Sequence, residues 1–532
     1  MLTSMGINGI EIFRADKKIE NYVYKHIKMR VFDRYKSNKY TNKNEVKEIV
    51  NYMYEEYYRL LDDNLPIIDQ WEFTIFLMNQ YDVYGQVEIE YKKGNLTPSD
   101  TLFWRDYGVF TRRAIKHLLE LLCIAGMKEH SSENISKEIQ ERSLSICFIA
   151  VEELVSLYMR SESYYRLYDD VTLILDASKY IYFNVIEDGR YDFDPRVELI
   201  NADEYIGVEN ILRSPDIQAE ILNYSFKEKF SINYLSLLST LQYLILNLGE
   251  ENENFCCFPL DVIIKSLSED LKINEVQVSG IISGFSLTAE SMLSEGRELY
   301  KPKQQYRAYK RGFFIFENEK VKYIIFSKRM ARECFDLLVS DVCFRKIPPE
   351  WESNLIKKSL DKLSLEAGKW FERVVDRNLK SLGIQGELSV KSLKFRNKKI
   401  IHIPKSIGEI DFIGYSEKEK LLIIIEAKQV GFSSEPRMYI DDLDKFITSE
   451  NGYVKKFQKK INWVIDNKDE VCKFLNEKTK KEVTINTIGY AMITHYPLYI
   501  ASEIEEFSCL SLTKFMMEYK CNNGWVFSKI NL

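Results

Sequence analysis

Residues 421–425 read Leu-Leu-Ile-Ile-Ile, and the run stops abruptly at Glu426-Ala427-Lys428. A strand with one wet face alternates apolar and polar residues, whereas one that is apolar at every position is covered on both sides. The run therefore predicts a central strand in a sheet flanked by helices. Side chains alternate along a strand, so Glu426 and Lys428 point to one face and Ala427 to the other. Upstream, Gly408 to Tyr415 (GEIDFIGY) reads as a short strand carrying Asp411, joined to the apolar run through a polar turn. Two carboxylates and an ammonium can thus converge at one end of the sheet.

Such a group suits phosphodiester hydrolysis. That reaction needs a cation to offset charge developing on the phosphorus oxygens and to lower the pKa of an attacking water. Hard oxygen ligands suit Mg²⁺ or Mn²⁺. Asp411 and Glu426 would be those ligands, with the Ala427 carbonyl as a third. Lys428 would orient or help deprotonate the water and stabilise the transition state.

A further carboxylate comes from upstream. Leu365, Gly368, Glu372, Val375, Leu379 and Leu382 recur at spacings of three and four and predict one apolar helix stripe. Glu372 lies inside it, and a core-facing carboxylate is costly unless paired or bound to metal. Glu366, beside Arg373 and Asp376, reads as solvated surface. Gly383 supplies the helix stop.

On these residues the segment resembles the PD-(D/E)XK nuclease superfamily, whose fold is restriction-endonuclease-like. The matching features are a helix with G-x-x-x-E (Gly368 to Glu372), the acidic strand GEIDFIGY (Asp411) and the strand end IEAK (Glu426, Lys428). Their order, helix, strand, strand, helix, strand, is similar too, over about residues 360–500. The resemblance implies a metal-dependent endonuclease with Glu372, Asp411 and Glu426 near the metal and Lys428 near the water. Ile410 stands before Asp411, where the family pattern has proline.

Charge points the same way. From Trp351 onward there are 30 Lys/Arg against 25 Asp/Glu, leaving 44 against 55 before it, so the C-terminal part is positive within a chain of net charge −6. A module that approaches a polyanion is expected to be positive. Tyr453 to Ile465 reads as an amphipathic helix with Val454, Phe457, Ile461 and Val464 inward. Lys455, Lys456, Lys459 and Lys460 crowd the other side, as a nucleic-acid contact or as a solvated face. The segment TINTIGYAMITHYP reads as a strand, and His495 near its end either flanks the site or is structural.

A chain of 532 residues exceeds one core and predicts several domains. The N-terminus lacks a basic region followed by an apolar one, which argues against secretion. The most apolar long stretch, Leu235 to Leu248, is too interrupted to span a bilayer, so no membrane partner is expected. Nine scattered cysteines, without C-x-x-C or zinc spacing, read as reduced thiols of a cytoplasmic protein. There is no P-loop motif and no H-E-x-x-H.

The predicted architecture is multidomain α+β. Residues 1–250 form a mainly helical recognition or regulatory region, 251–347 a winged-helix-like module, and 351–532 an α/β nuclease domain with a mixed sheet flanked by helices. In the first region Val171 to Val185 holds a strand pair, and Tyr22, Tyr24, Tyr54, Tyr57 and Tyr58 either stack on bases or pack between helices. In the second, two helices precede a hairpin turning near Asn318, and Lys303, Arg307, Lys310 and Arg311 suit either phosphate contact or a solvated linker. The expected function is metal-dependent cleavage of nucleic acid, DNA before RNA. A bacterial restriction or anti-phage defence effector would fit, acting as a homo-oligomer or with a partner protein. The competing expectation is a catalytically inactive nucleic-acid-binding or scaffold protein with the same fold.

Overall fold

The computed structural model describes residues 2–125, 135–166, 171–175, 182–185, 195–207, 209–249, 254–295, 299, 305–318, 320–433, 436–480 and 482–531. It is mixed α and β, with a helical N-terminal region and a sheet-rich C-terminal region. The chain divides into two compact units. One holds Met1–Ile186, Ala219–Val342 and Lys346–Ser359; the other holds Glu187–Gln218, Cys343–Arg345 and Leu360–Leu532.

The first unit is built on long helices, among them Lys17–Arg34, Lys43–Asn64, Gln70–Lys92, Val109–Ala125 and Lys137–Arg166. Their starts are set locally. Asn42 accepts from the backbone of Asn44 and Glu45, and Asp69 from that of Trp71 and Glu72, each satisfying amides that a helix start leaves open. Tyr54, Tyr57 and Tyr58 lie on the buried stripe of Lys43–Asn64, so their rings pack in the core. The strand pair within 171–185 is present as Val171–Ile174 and Tyr182–Val185, antiparallel. The expected hairpin is Phe313–Asn318 with Val321–Ser327, inside a four-stranded sheet whose edges are Phe255–Pro259 and Ser286–Thr288.

The second unit begins with helix α1 (Arg196–Ile206), which the sequence pattern groups with the N-terminal region. Its last carbonyls receive Arg377 and Asn378, Asn378 Nδ2 reaching Tyr205 O at 2.8 Å. Those residues belong to helix α2 (Asn354–Ser381), whose part from Leu360 lies in this unit. Gly383, at φ +80°, ends the helix turn in a conformation that suits glycine.

Strands β1 (Ile384–Val390), β2 (Ile410–Ser416) and β3 (Leu421–Lys428) follow as an antiparallel meander. Helix α3 (Tyr453–Asp466) precedes β4 (Thr487–Thr494), which lies parallel to β3. Strand β5 (Ser508–Ser511) pairs β4 in parallel, helix α4 (Leu512–Asn522) follows, and β6 (Lys529–Asn531) pairs β4 antiparallel. β3 is central, and residues 421–426 are all buried. Its odd positions, Leu421, Ile423, Ile425 and Ala427, join one core with Phe371, Val374 and Leu379 of α2 and Phe515 and Met516 of α4. The even positions face the other way, where α3 supplies a partner to Glu426.

The stripe expected on α2 is present at its C-terminal end, where Val375 and Leu379 are buried, and rotated at its start. Leu365 is 62% exposed, while Leu363, Ala367, Phe371, Val374 and Asn378 are buried. Phe371 and Val374 carry more apolar area than Gly368 and Glu372, so burying them wins. Glu372 sits half-buried at the margin of the stripe rather than within it.

Candidate functional site

The site is assembled by strand register. The β2–β3 pairing runs from Ser416↔Leu421 to Phe412↔Ile425, so one step further Asp411 stands across from Glu426 on the same face. Asp411 Oδ2 accepts from the Ala427 amide at 2.9 Å, which fixes the carboxylate against the end of β3. Asp411 is 8% exposed and Glu426 2%. Charges that deep are tolerable when paired.

Two lysines pair them. Lys428 Nζ lies 2.6 Å from Glu426 Oε1 and 3.3 Å from Asp411 Oδ2. Lys460 Nζ, from α3, lies 2.6 Å from Glu426 Oε2 and 3.4 Å from Asp411 Oδ1. Burial opposes the charge on Lys428, but the carboxylates of Glu426 and Asp411 outweigh it and hold the ammonium above the ordinary lysine range. In this arrangement Lys428 is placed as a donor, able to orient water and offset negative charge. Its Nζ also lies 3.3 Å from the Ala427 carbonyl and over the ring of Tyr453 at 5.4 Å.

Lys460 corrects the expected lysine face. Lys455, Lys456 and Lys459 are turned away from the core, but Lys460 is 7% exposed and points into the site. The signal was present: Lys460 falls three residues after Phe457 and four before Val464, both buried on the inward face.

Glu372 comes to the edge of this cluster. Its Oε2 accepts from Ser389 Oγ at 2.9 Å. Burial first, and then the nearby charge of Asp411, raise its carboxyl above the ordinary range. Ser389 has φ +52°, an unfavourable backbone for serine. The β1–β2 register passes from Leu388↔Phe412 to Val390↔Ile410, which leaves Ser389 across from Asp411. Strained backbone of this kind concentrates at functional sites. Neither β1 nor Ser389 is marked by a motif, although Ile384, Gly386, Leu388 and Val390 alternate with polar residues.

His495 is the next residue after β4, and its amide donates to the Lys428 carbonyl at 3.0 Å. Its ring is buried among Trp370, Phe371 and Tyr496. Burial, and then Arg213, push its pKa down to about 3. It is a neutral packing group that holds the strand end, and neither ring nitrogen has a hydrogen-bond partner among the described residues.

The basic residues expected before the hairpin are placed otherwise. Arg307 is 1% exposed and pairs with Glu120 at 3.2 Å; Arg311 is 2% exposed and pairs with Glu350 at 2.9 Å. Lys310 pairs with Asp341. These charges are neutralised inside the first unit, because burying a guanidinium requires a partner; they are not presented to phosphates. Lys303 lies outside the described residues.

The donor set fits a hard divalent cation. Among the described residues no three His, Cys, Asp or Glu side chains form a metal-holding group. Mg²⁺, however, needs one or two carboxylates and keeps several waters. Asp411 and Glu426 share the same two ammonium partners, so their oxygens already flank two cationic positions, that of Lys428 having the Ala427 carbonyl beside it. Among the described residues no helix is long and apolar enough to cross a membrane. No family model, curated protein or solved structure matches the chain.

Proposed function

We propose that the chain is a metal-dependent nuclease, hydrolysing phosphodiester bonds in DNA before RNA, with the site at the end of β3. One observation carries the reading: Asp411 and Glu426, from neighbouring strands, converge with Lys428 on one face at the end of a buried central strand. Asp411, Glu426 and the Ala427 carbonyl would hold Mg²⁺ or Mn²⁺. Bound there, the cation would offset charge on the phosphorus oxygens and acidify a water. Lys428, held protonated, donates to the water or to a phosphate oxygen. The Ala427 amide keeps Asp411 in place throughout, as preorganised electrostatics require.

Lys455, Lys456 and Lys459 on α3, the helix that supplies Lys460, give a basic surface for the backbone of the substrate. A restriction or anti-phage defence role in the cytoplasm, as a homo-oligomer or with a partner protein, is an analogy at the level of the fold. The test is incubation with plasmid, linear and single-stranded DNA and with RNA, in Mg²⁺, Mn²⁺ or EDTA. Cutting that needs metal and is lost in Asp411→Asn supports the reading. Nucleic-acid binding without cutting in either metal would favour the inactive binding protein.

A further inference from the structure

Phosphodiester hydrolysis at Asp411, Glu426 and Lys428 does not call for a second buried lysine, yet Lys460 is there. Each carboxylate gives one oxygen to Lys428 and the other to Lys460. The Lys460 ammonium therefore occupies one of the two positions between the carboxylates that a shared cation would take, the other being held by Lys428. Lysine is rarely buried to 7% exposure, and its flexible stem normally carries the charge out to water. Here Phe457, Ile461 and Val464 bury the same face of α3, and Asp411 and Glu426 pair with the lysine head.

We propose that Lys460 is an internal placeholder cation. In the metal-free protein it helps to hold Asp411 and Glu426 together, so that two buried like charges are not left with Lys428 as their single counter-charge. A divalent cation binds by displacing it, so Lys460 sets the metal concentration at which the site assembles. It is a positioning residue, and the proposal rests on reading Asp411 and Glu426 as metal ligands.

The placeholder role predicts that a neutral residue at 460 tightens metal binding. Ca²⁺, a hard cation with oxygen preference, is the probe. Calorimetric titration would compare the full-length protein with Lys460→Met, Lys460→Gln, Lys460→Arg and Asp411→Asn. Lys460→Met and Lys460→Gln should bind Ca²⁺ about tenfold more tightly, and their unfolding midpoints should fall in EDTA and recover in Ca²⁺. Lys460→Arg, which keeps the charge, should bind like the parent. Either neutral variant, if the other fails to fold, suffices.

Unchanged or weaker Ca²⁺ binding in the neutral variants, with binding lost in Asp411→Asn, would overturn the placeholder and leave the metal site standing. Absence of Ca²⁺ binding in all proteins, or binding indifferent to Asp411→Asn, would overturn both. Tighter binding in a protein that cuts no nucleic acid would uphold the placeholder and remove the nuclease reading.

Discussion

Asp411 and Glu426 look equivalent in the proposed metal site, but the structure makes them unequal as contributors to stability, and this inequality is measurable. Glu426 lies 2.6 Å from each lysine, at 2% exposure. Asp411 stands 3.3 and 3.4 Å from the same ammonium groups, beyond the usual N–H···O range, and its short bond is to the Ala427 amide. Glu426→Gln leaves the buried ammonium of Lys460 and the part-buried one of Lys428 with one distant carboxylate. Breaking buried pairs in this way typically costs about 3–5 kcal/mol. Asp411→Asn keeps an oxygen for the Ala427 amide and gives up only the longer ion pairs, so its cost should be about 1–2 kcal/mol. At roughly 2–4 °C per kcal/mol for a unit of this size, Glu426→Gln should lower the unfolding midpoint in EDTA by about 10 °C and Asp411→Asn by about 4 °C. Both should abolish metal-dependent cleavage. Equal destabilisation of the two variants would refute the assigned pairing, and cleavage by Asp411→Asn at the parent rate would refute its role as a ligand.

Other consequences follow from individual side chains. Lys428→Ala should abolish metal-dependent cleavage while near-ultraviolet circular dichroism stays native, because the variant removes the donor beside the water; cleavage at the parent rate would count against its role. Replacing Lys455, Lys456 and Lys459 by Gln should flatten the salt dependence of DNA binding in Ca²⁺ by roughly 0.9 for each phosphate that is no longer neutralised; an unchanged slope would mark α3 as a solvated face. For Glu372, burial and then Asp411 raise the carboxyl pKa, so its stabilising contribution is present below the unfolded value and disappears as pH rises through the folded one. Glu372→Gln should therefore raise the unfolding midpoint at about pH 7.5 and give no such gain at about pH 4. A drop at both would mean that the ionised carboxylate is structurally paired.

Much of the site was legible because it depends on the two-residue period of strands. The LLIII run and the E-x-K spacing together placed β3 in the centre and set Glu426 and Lys428 on one face, as the register shows. Helical phase was harder to read. On α2, Leu365 and Glu372 fit a three-four spacing as well as Leu363, Ala367 and Phe371 do, and only the surface they pack on chooses between the two. On α3 the run of lysines hid one that faces inward. The fates of Arg307 and Arg311 depended on Glu120 and Glu350, distant in sequence, so local composition could not distinguish a buried ion pair from a phosphate-binding group.

The charge count at the site also bears on the order of events. In the metal-free protein Asp411 and Glu426 are balanced by Lys428 and Lys460, and Glu372, when ionised, adds one negative charge at the margin. A divalent cation that displaces Lys460 from the two carboxylates does not remove its charge from α3, so the site and its margin together carry an excess of one positive charge. One phosphodiester carries the charge that cancels it. Metal and nucleic acid should therefore bind cooperatively, and by linkage the factor must be the same in both directions. Ca²⁺ should tighten binding of a short DNA duplex, and that duplex should tighten Ca²⁺ by an equal factor of about 10. Lys460→Met removes one of the positive charges, so the coupling should shrink as Ca²⁺ affinity in the absence of DNA rises. Coupling as strong in Lys460→Met as in the parent would show that the balance of charge at this site does not link the two ligands.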